Sequence, residues 1–315
     1  MPSDRTTAVA STLQPDDLRV CRAILAHGSK SFALASMMLP RRVREPAAVV
    51  YAFCRVADDA VDMGGEATRA VALLHDRIDR IYGGNPAVDP VDRALARVVM
   101  DHDLPRTLFD ALLDGFLWDA DERCYATLSD LLEYCARVAS VVGVLMTLLM
   151  GCRDRDVLAR ACDLGAAMQL TNVARDVGED ALRGRIYLPL QWMHEAGVDP
   201  DAWLRAPRFT PALGEVVARL LEHAEGLYRR AQAGIAALPP DCRTAITAAA
   251  LIYADIGRVI ALRAYDSVST RAHVGLLRKL VLSMRARWGR MLTAPPLGAD
   301  PLDETRFLVD AVRPA

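Results

Sequence analysis

Apolar residues recur at the three- to four-residue spacing of a helix along almost the whole chain, and alanine is abundant. Stretches that alternate apolar with polar residues, as half-buried strands do, are hard to find. Turn-forming residues interrupt the helical pattern near 82–86, 103–105, 151–156 and 238–241. None of these interruptions has the length or composition of a linker between domains. The sequence therefore predicts an all-α fold.

Size and composition limit what such a chain can do. Its 315 residues, of which 52% are hydrophobic, can bury a large core. Without internal repeats or low-complexity tracts, one domain over residues 1–315 is the simplest organisation, with 1–18 and 296–315 loosely ordered. The net charge of -2 gives no general attraction to nucleic acid, so we expect no nucleic-acid partner.

Cysteine usage and hydropathy indicate the compartment. The seven cysteines contain no C-x-x-C pair and are odd in number, which is typical of reduced thiols. The segment MPSDRTTAVASTLQPDD lacks the apolar stretch of a secretory signal. The longest uncharged run, between Arg137 and Arg153, is too short at about 1.5 Å per residue for a ~30 Å bilayer core. We therefore predict a buried helix there and a cytoplasmic protein.

The segment YAFCRVADDAVDMGG, residues 51–65, places acids within an apolar helical pattern. A helix is predicted over Pro46–Met63, with the proline in its first turn and glycines after its end. Asp58 and Asp62 then lie one turn apart on the same face, where like charges repel unless a cation lies between them. A single pair of this kind is more simply explained as part of a solvated helix face.

The segment QLTNVARDVGED, residues 169–180, repeats the arrangement, with Asn172, Asp176 and Asp180 at successive helical turns. An arginine accompanies each stripe, Arg55 in the first and Arg175 in the second. Two such stripes favour a site at which the two helices face each other. Oxygen ligands of this kind suit Mg²⁺, with Mn²⁺ as the other candidate.

Other chemistries lack their sequence patterns. The six histidines are scattered, so no Cys and His cluster with zinc-ligand spacing is present. The chain contains no phosphate-binding glycine loop and no G-x-S-x-G nucleophile. A Mg²⁺ cluster in an apolar helical cavity indicates a substrate with a diphosphate at one end and an apolar remainder.

Both acidic segments, YAFCRVADDAVD and QLTNVARDVGEDALRGRIYLP, resemble the Asp-rich motifs of the squalene and phytoene synthase family. The similarity extends to SKSFALASMMLP near the N-terminus, to LLDGFLWDADERCYATLSDLLEYCARVASVVGVLM in the centre and to YADIGRVIALRAYDSVSTRAHV near the C-terminus. This resemblance implies the isoprenoid synthase fold, a helical bundle around a central apolar cavity, and a prenyl transferase that joins two prenyl chains head to head.

The resemblance also implies roles for individual residues. The catalytic set it implies is Asp58, Asp62, Asp176, Asp180 and Tyr134. The Mg²⁺ ligands it implies are Asp58, Asp62, Asn172, Asp176 and Asp180. The substrate-binding set that it implies comprises Lys30, Ser31, Phe32, Tyr51, Arg55, Val138, Ala139, Gly143, Gln169, Asn172, Arg175, Tyr187, Tyr253 and Arg271.

The implied reaction is the condensation of two geranylgeranyl diphosphates to phytoene through prephytoene diphosphate, in carotenoid biosynthesis. A squalene synthase would end the reaction with hydride from NADPH, but no NADPH is expected here. The alternative is a farnesyl diphosphate-using enzyme that makes squalene, dehydrosqualene or presqualene diphosphate. A non-catalytic helical assembly factor is a more distant alternative, because such a protein has no reason to keep both acidic stripes.

The chain departs from the family pattern at two points. Ser140 stands where the family commonly has glycine, and we expect it to narrow the prenyl channel. The family commonly has a pair of arginines where this chain has Thr270 and Arg271. We therefore expect one of the family's diphosphate contacts to be missing here.

Residues 276–292 form a basic amphipathic segment, with apolar side chains on one helical face and arginines off it. Such a helix can lie peripherally on the inner face of an anionic membrane, or its apolar face can pack on the protein core. The sequence leaves both interpretations open, and it leaves the oligomeric state open as well.

Overall fold

The computed structural model describes residues 13–28, 36–62, 67–288 and 297–313, with the backbone alone at residues 62 and 67. Every regular element in these ranges is helical, which confirms the all-α prediction. The α-helices are α1 Pro15–Gly28, α2 Arg41–Asp62, α3 Ala67–Tyr82, α4 Pro90–His102, α5 Arg106–Ala120, α6 Leu128–Cys135, α7 Val141–Leu149, α8 Arg155–Leu182, α9 Leu190–Glu195, α10 Pro200–Arg205, α11 Pro211–Ala237, α12 Pro240–Ala261, α13 Leu276–Trp288 and α14 Arg306–Asp310. A π-helical turn, Ala136–Ser140, joins α6 to α7, and a 3₁₀ turn, Asp303–Thr305, precedes α14.

Helix α2 begins earlier than the sequence predicts. It begins at Arg41, so Pro46 lies inside the helix. A proline lacks the hydrogen bond of its own nitrogen and its ring crowds the carbonyl of the preceding turn, and here both costs fall within the first two turns. Burial of Val43 and Ala47 on either side of the proline holds the early turns in place. Each of the other predicted interruptions contains a junction between two helices, although residues 155–156 and 240–241 already belong to the helices that follow.

The long helix α8 lies at the centre of the bundle and packs against α7, α11, α12 and the π-helical turn. Two glycines allow the closest crossings. A Cβ on Gly165 would lie 2.5 Å from the Ala139 oxygen, and a Cβ on Gly143 would lie 2.5 Å from the Ala161 oxygen. These crossings bring the backbone of α8 and that of residues 139–143 into direct contact.

Among the residues that the structure describes, two helical stretches are long and apolar enough to cross a membrane by length and composition alone, Leu128–Leu149 and Pro240–Ala261. Within its most apolar window the first is 67% buried inside the protein, and the second 33%. Val144, Leu145 and Leu148 of the first are almost fully buried, in agreement with the predicted buried helix.

Of the two ends expected to be loosely ordered, residues 13–18 and 297–313 are described and contain helical elements, whereas residues 1–12, 296 and 314–315 lie outside the described residues. Helix α1 already begins at Pro15, and Leu18 is buried. Near the C-terminus, Leu308 and Val309 of α14 are almost completely buried. A few apolar residues at each end pack into the core. The polar residues around them make these contacts hard to predict from the sequence.

Candidate active site

An apolar cavity of about 260 Å³ runs through the bundle between α7, α8, α11 and α12. Along α8 it extends from Val157 to Asn172, about 22 Å of helix. Its walls are mostly aliphatic side chains and methionines. Six of the residues implied by the resemblance line it, namely Val138, Ala139, Gly143, Gln169, Asn172 and Tyr253.

Two side-chain amides line one end of this cavity. The Asn172 side-chain amide donates a hydrogen bond to the Gln169 oxygen at 3.1 Å. The Asn172 oxygen is buried and has no hydrogen-bond partner among the residues that the structure describes. A buried carbonyl oxygen of this kind normally has a donor or a cation beside it. Asn172 can therefore supply a metal ligand.

Asp176 lies one turn beyond Asn172 and is held by two arginines. Arg175 donates to both carboxylate oxygens, at 2.7 and 2.5 Å, and Arg271 donates to the same carboxylate at 2.7 Å. Burial acts to raise the pKa of Asp176, but the hydrogen bonds from Arg175 and Arg271 outweigh it and hold the pKa below its usual value. Asp176 is therefore a fully ionised carboxylate with two cationic partners.

Asp180, a further turn along α8, has a different environment. Burial and the negative charge of Asp176 raise the pKa of Asp180 to about 7. Among the described residues, no side chain donates a hydrogen bond to this carboxylate. A cation beside Asp180 would relieve the repulsion between the carboxylates of Asp180 and Asp176. The pair therefore has the negative charge that a metal ion requires.

Gly178 explains how Arg271 reaches this helix, and sequence analysis missed it. A Cβ at Gly178 would lie 2.5 Å from the Val268 oxygen and 2.9 Å from the Val268 Cα, so only glycine lets the chain cross here. The Gly178 amide also donates to the Ser267 oxygen at 3.0 Å. The sequence contained a signal for this crossing. A glycine between Asp176 and Asp180 weakens the helix, so its presence there indicates a close contact that a larger residue would prevent.

The first acidic stripe lies on α2. Arg55 contacts Asp58 at 3.2 Å and Asp59 at 2.5 Å, and all three side chains are about 40% exposed or more. The side chain of Asp62 lies outside the described part of the structure, as do Lys30, Ser31 and Phe32.

Electrostatics connect the two stripes. Burial raises the pKa of Tyr51 on α2, with smaller contributions that include Tyr253 and Asp58. Burial also raises the pKa of Tyr253 on α12, which is influenced in turn by Arg175 and Asp176. Tyr51 is therefore close to charged groups of the first stripe, and Tyr253, which lines the cavity, is close to charged groups of the second.

The acids are not gathered into a ready-made metal site. Within the described ranges, no group of three or more Asp, Glu, His or Cys side chains is positioned to hold a metal ion. Arginines contact Asp58 and Asp176 instead. The donor set of Asp58, Asn172, Asp176 and Asp180 nevertheless has the hard oxygen atoms that suit a divalent cation.

Two tyrosines implied by the resemblance are not among the residues that line the cavity. Tyr134 and Tyr187 both donate hydrogen bonds to Asp119, at 2.9 and 2.6 Å. Tyr187 also lines a small cleft that contains Asp180. Sequence analysis did not identify Asp119.

The expectation that Ser140 narrows the channel is wrong. Its side chain is completely buried and donates to the Cys162 oxygen at 2.8 Å, so it faces α8. Val142 lines the cavity in its place. The Thr270 hydroxyl accepts a hydrogen bond from Arg263 at 3.2 Å, whereas its neighbour Arg271 donates to Asp176.

A helical bundle whose apolar cavity ends in carboxylates, arginines and a buried amide is the architecture of a prenyl transferase. The sequence profile of the family described as squalene/phytoene synthase matches residues 25–278. The chain therefore belongs to the squalene/phytoene synthase family, and the resemblance noted from its two acidic motifs is confirmed.

Characterised relatives and solved structures agree with this assignment. The phytoene synthase of Rhodobacter capsulatus is 50% identical over 303 residues, covering 94% of this chain and 89% of the relative. The phytoene synthase of Cereibacter sphaeroides is 49% identical over 310 residues, covering 94% and 87%. The crystal structure of a dehydrosqualene synthase is similar with a TM-score of 0.78 and 34% identity, covering 86% of this chain and 95% of that one.

Proposed function

We propose that the protein condenses two geranylgeranyl diphosphates head to head to phytoene, with release of diphosphate and without NADPH. The bacterial relatives that are about half identical to this chain carry the name phytoene synthase, which supports this product. The family supports a prenyl diphosphate as substrate. The length of the cavity supports a geranylgeranyl chain in the substrate.

The cavity length is the observation that carries this proposal. From Asn172 to Val157 it follows α8 for about four helical turns. An extended isoprene unit is roughly as long as one turn, so the cavity matches the four units of a geranylgeranyl chain. Met150 and Leu238 line the cavity near its far end. A three-unit farnesyl chain would leave that end unfilled, and an unfilled apolar cavity is unfavourable.

The residues present fit a divalent cation, and we propose Mg²⁺. Asp58, Asn172, Asp176 and Asp180 would hold it, together with Asp62. When bound, Mg²⁺ would supply positive charge that neutralises the departing diphosphate. Its carboxylate ligands would otherwise repel the substrate.

The protein's own residues then have distinct tasks. Arg55, Arg175 and Arg271 can donate charge-assisted hydrogen bonds to phosphate oxygens, which is the chemistry their guanidinium groups suit best. The aliphatic walls of the cavity orient the prenyl chain and exclude water from a reactive allylic cation.

The test is incubation of the purified protein with Mg²⁺ and either geranylgeranyl or farnesyl diphosphate, with and without NADPH, and mass analysis of the extracted hydrocarbon. Phytoene from the longer substrate without NADPH is the expected result. Squalene or dehydrosqualene from the shorter substrate would contradict the proposal and support the alternative, a farnesyl diphosphate-using enzyme. Asp176→Asn should abolish diphosphate release, whereas Asp114→Asn on the exposed face of α5 should not.

We also propose that α13 docks on an anionic membrane surface, at the inner face of a cytoplasmic membrane. Its apolar face does not pack on the core: of its apolar residues only Leu282 is buried. Arg278 anchors the helix to α12 through Asp255, at 2.8 and 3.0 Å. The exposed apolar residues of this face, each at least 46% exposed, are Leu276, Leu277, Leu280, Val281, Met284 and Trp288.

Charge favours a lipid surface as the occupant of this face. Arg285 and Arg287 are exposed beside it, and no acid occurs between Asp266 and Asp300. A basic helix with exposed Leu, Met and Trp is typical of interfacial membrane binding. A prenyl substrate and a hydrocarbon product also partition into lipid.

Flotation with vesicles containing phosphatidylserine tests the membrane proposal. The wild type should float with the vesicles and be released by salt, and the double variant Arg285→Gln, Arg287→Gln should bind several times more weakly. Leu277→Ser should also weaken binding. Leu73→Ser, at an exposed leucine on α3, is the matched control and should leave flotation unchanged. Equal flotation of all four proteins would contradict the proposal.

A further inference from the structure

We propose that Asp119 is a positioning residue for the condensation, which acts by fixing the hydroxyl groups of Tyr134 and Tyr187 beside the prenyl cation. This inference rests on the proposed function. The carboxylate accepts from the Tyr134 hydroxyl at 2.9 Å and from the Tyr187 hydroxyl at 2.6 Å, one tyrosine on each oxygen. One side chain of α5 thereby orients residues from two other segments.

The direction of these hydrogen bonds determines what the tyrosines offer. An ionised carboxylate has no proton to donate, so both hydroxyl hydrogens point toward Asp119. Each phenol oxygen can then no longer donate a hydrogen bond, but its lone pairs can still accept one. Burial and the charge of Asp119 raise the pKa of Tyr134 and of Tyr187 above the usual value, so both remain neutral phenols. Lone pairs of this kind can stabilise a cation or accept the proton that it loses.

The cluster is close to the cavity in the chain and close to Asp180 in space. Tyr134 is one helical turn before Val138, which lines the cavity. Tyr187 lines a cleft with Asp180. The cluster is therefore adjacent both to the wall that contacts the prenyl chain and to the acid implied in diphosphate binding.

Three aromatic rings add electron density at the same place. Tyr125 joins the two tyrosines, with ring centroids 5.2 Å from Tyr134 and 6.1 Å from Tyr187, and the last two rings are 5.4 Å apart. Their faces are tilted by 36° or less from one another. Aromatic faces carry partial negative charge and attract cations. A carbocation is the chemical class that a cluster of such rings attracts.

The position of Asp119 in its helix is unfavourable, which argues against a purely structural role. It lies in the last turn of α5, where the helix dipole disfavours negative charge. A purely structural acceptor for two hydroxyls needs no negative charge.

The test compares Asp119→Asn with the wild type and with Asp121→Asn, an exposed acid two residues later. We expect Asp119→Asn to lower kcat about tenfold to a hundredfold while KM for the prenyl diphosphate changes less than about twofold. The ratio of cyclopropylcarbinyl diphosphate to final hydrocarbon should rise, because a poorly stabilised cation stalls there. Asp121→Asn should behave as the wild type.

A double-mutant cycle separates positioning from general damage. In a background that carries both Tyr134→Phe and Tyr187→Phe, Asp119→Asn should lower kcat by less than about twofold more, since its effect passes through these two hydroxyl groups. Full additivity of the two losses, an unchanged kcat in Asp119→Asn, or a loss confined to KM would each overturn the proposal. Asp119→Glu should restore part of kcat, because it keeps the charge.

Failure of the proposed function is distinguishable from failure of this inference. If the wild type acts on farnesyl rather than geranylgeranyl diphosphate, the substrate assignment fails but the cycle is run with the shorter substrate and decides the role of Asp119. If the wild type acts on neither substrate, both proposals fall. If the wild type is active and Asp119→Asn equals it, only the role of Asp119 is refuted.

Discussion

Replacing Gly178 with alanine should move Arg271 away from Asp176 without replacing any charged residue. The new Cβ would lie 2.5 Å from the Val268 oxygen, 2.9 Å from its Cα and 3.0 Å from its carbonyl carbon. These are backbone atoms, so relief requires that the whole 266–271 segment move away from α8. Arg271 is in that segment and donates to Asp176 at 2.7 Å. The substitution should therefore weaken or break this contact.

The magnitude follows from two contributions. Overpacking against backbone costs about 1–3 kcal/mol of folding stability, which lowers the Tm of a chain this long by about 2–5 °C. Loss of a hydrogen bond between charged groups costs about 1.5–3 kcal/mol, which corresponds to about a tenfold to a hundredfold decrease in kcat/KM when the bond is made in the reacting complex. Calorimetry gives the first quantity, and diphosphate release with Mg²⁺ gives the second.

A matched glycine supplies the control. A Cβ on Gly226 of α11 meets only the end of the flexible Arg229 side chain, at 3.8 Å. Gly226→Ala should therefore keep full activity and gain up to about 1 kcal/mol of stability. The double variant Gly178→Ala, Arg271→Ala should be no less active than Arg271→Ala alone. If Gly178→Ala is as active as the wild type and equally stable, the close crossing does not position Arg271.

Three further predictions address charge and chain length. The pKa of Asp180, raised to about 7 in the folded state, penalises the ionised form, so the cost is full above pH 7 and disappears as the pH falls toward 4. In EDTA, Asp180→Asn should therefore raise Tm by about 3 °C at pH 8 and by much less at pH 5, as thermal melts will reveal; the reverse pH trend would contradict this. Mg²⁺ should raise the Tm of the wild type more than that of Asp180→Asn, in the same melts. Val142→Phe should fill the cavity and shift the preference toward farnesyl diphosphate in a competition assay, whereas Ser140→Ala should leave the preference unchanged; equal preference in both variants would remove the channel argument.

The local features of this fold are predictable from sequence. Proline and glycine mark helix boundaries through their own backbone restrictions, so the turns near residues 82–86 and 238–241 were identified correctly. The start of α2 was misplaced because the effect of Pro46 depends on burial of Val43 and Ala47 by other helices. Ser140 was misjudged although helical periodicity contained the answer. It lies about 200° around the helix from Val138, so both cannot face the cavity.

The interactions between segments are what the sequence concealed. Asp119 bonds tyrosines that are 15 and 68 residues away along the chain, and no local pattern specifies that meeting. Gly178 is meaningful only because Val268 crosses there. The acidic stripes, in contrast, were visible because each repeats at helical spacing within one segment.

The acidic stripes are tolerated because arginines of the same chain partner most of their charge. Arg55 contacts Asp58, and Arg175 and Arg271 contact Asp176, so the cost of stacking acids on a helix is offset within the protein. A diphosphate competes with these carboxylates for the arginines, whereas a divalent cation competes with the arginines for the carboxylates. Each ligand therefore releases the groups that the other needs, and their binding must be mutually favourable. Asp180, whose raised pKa shows that its charge is not offset, is the acid at which the cation gains most.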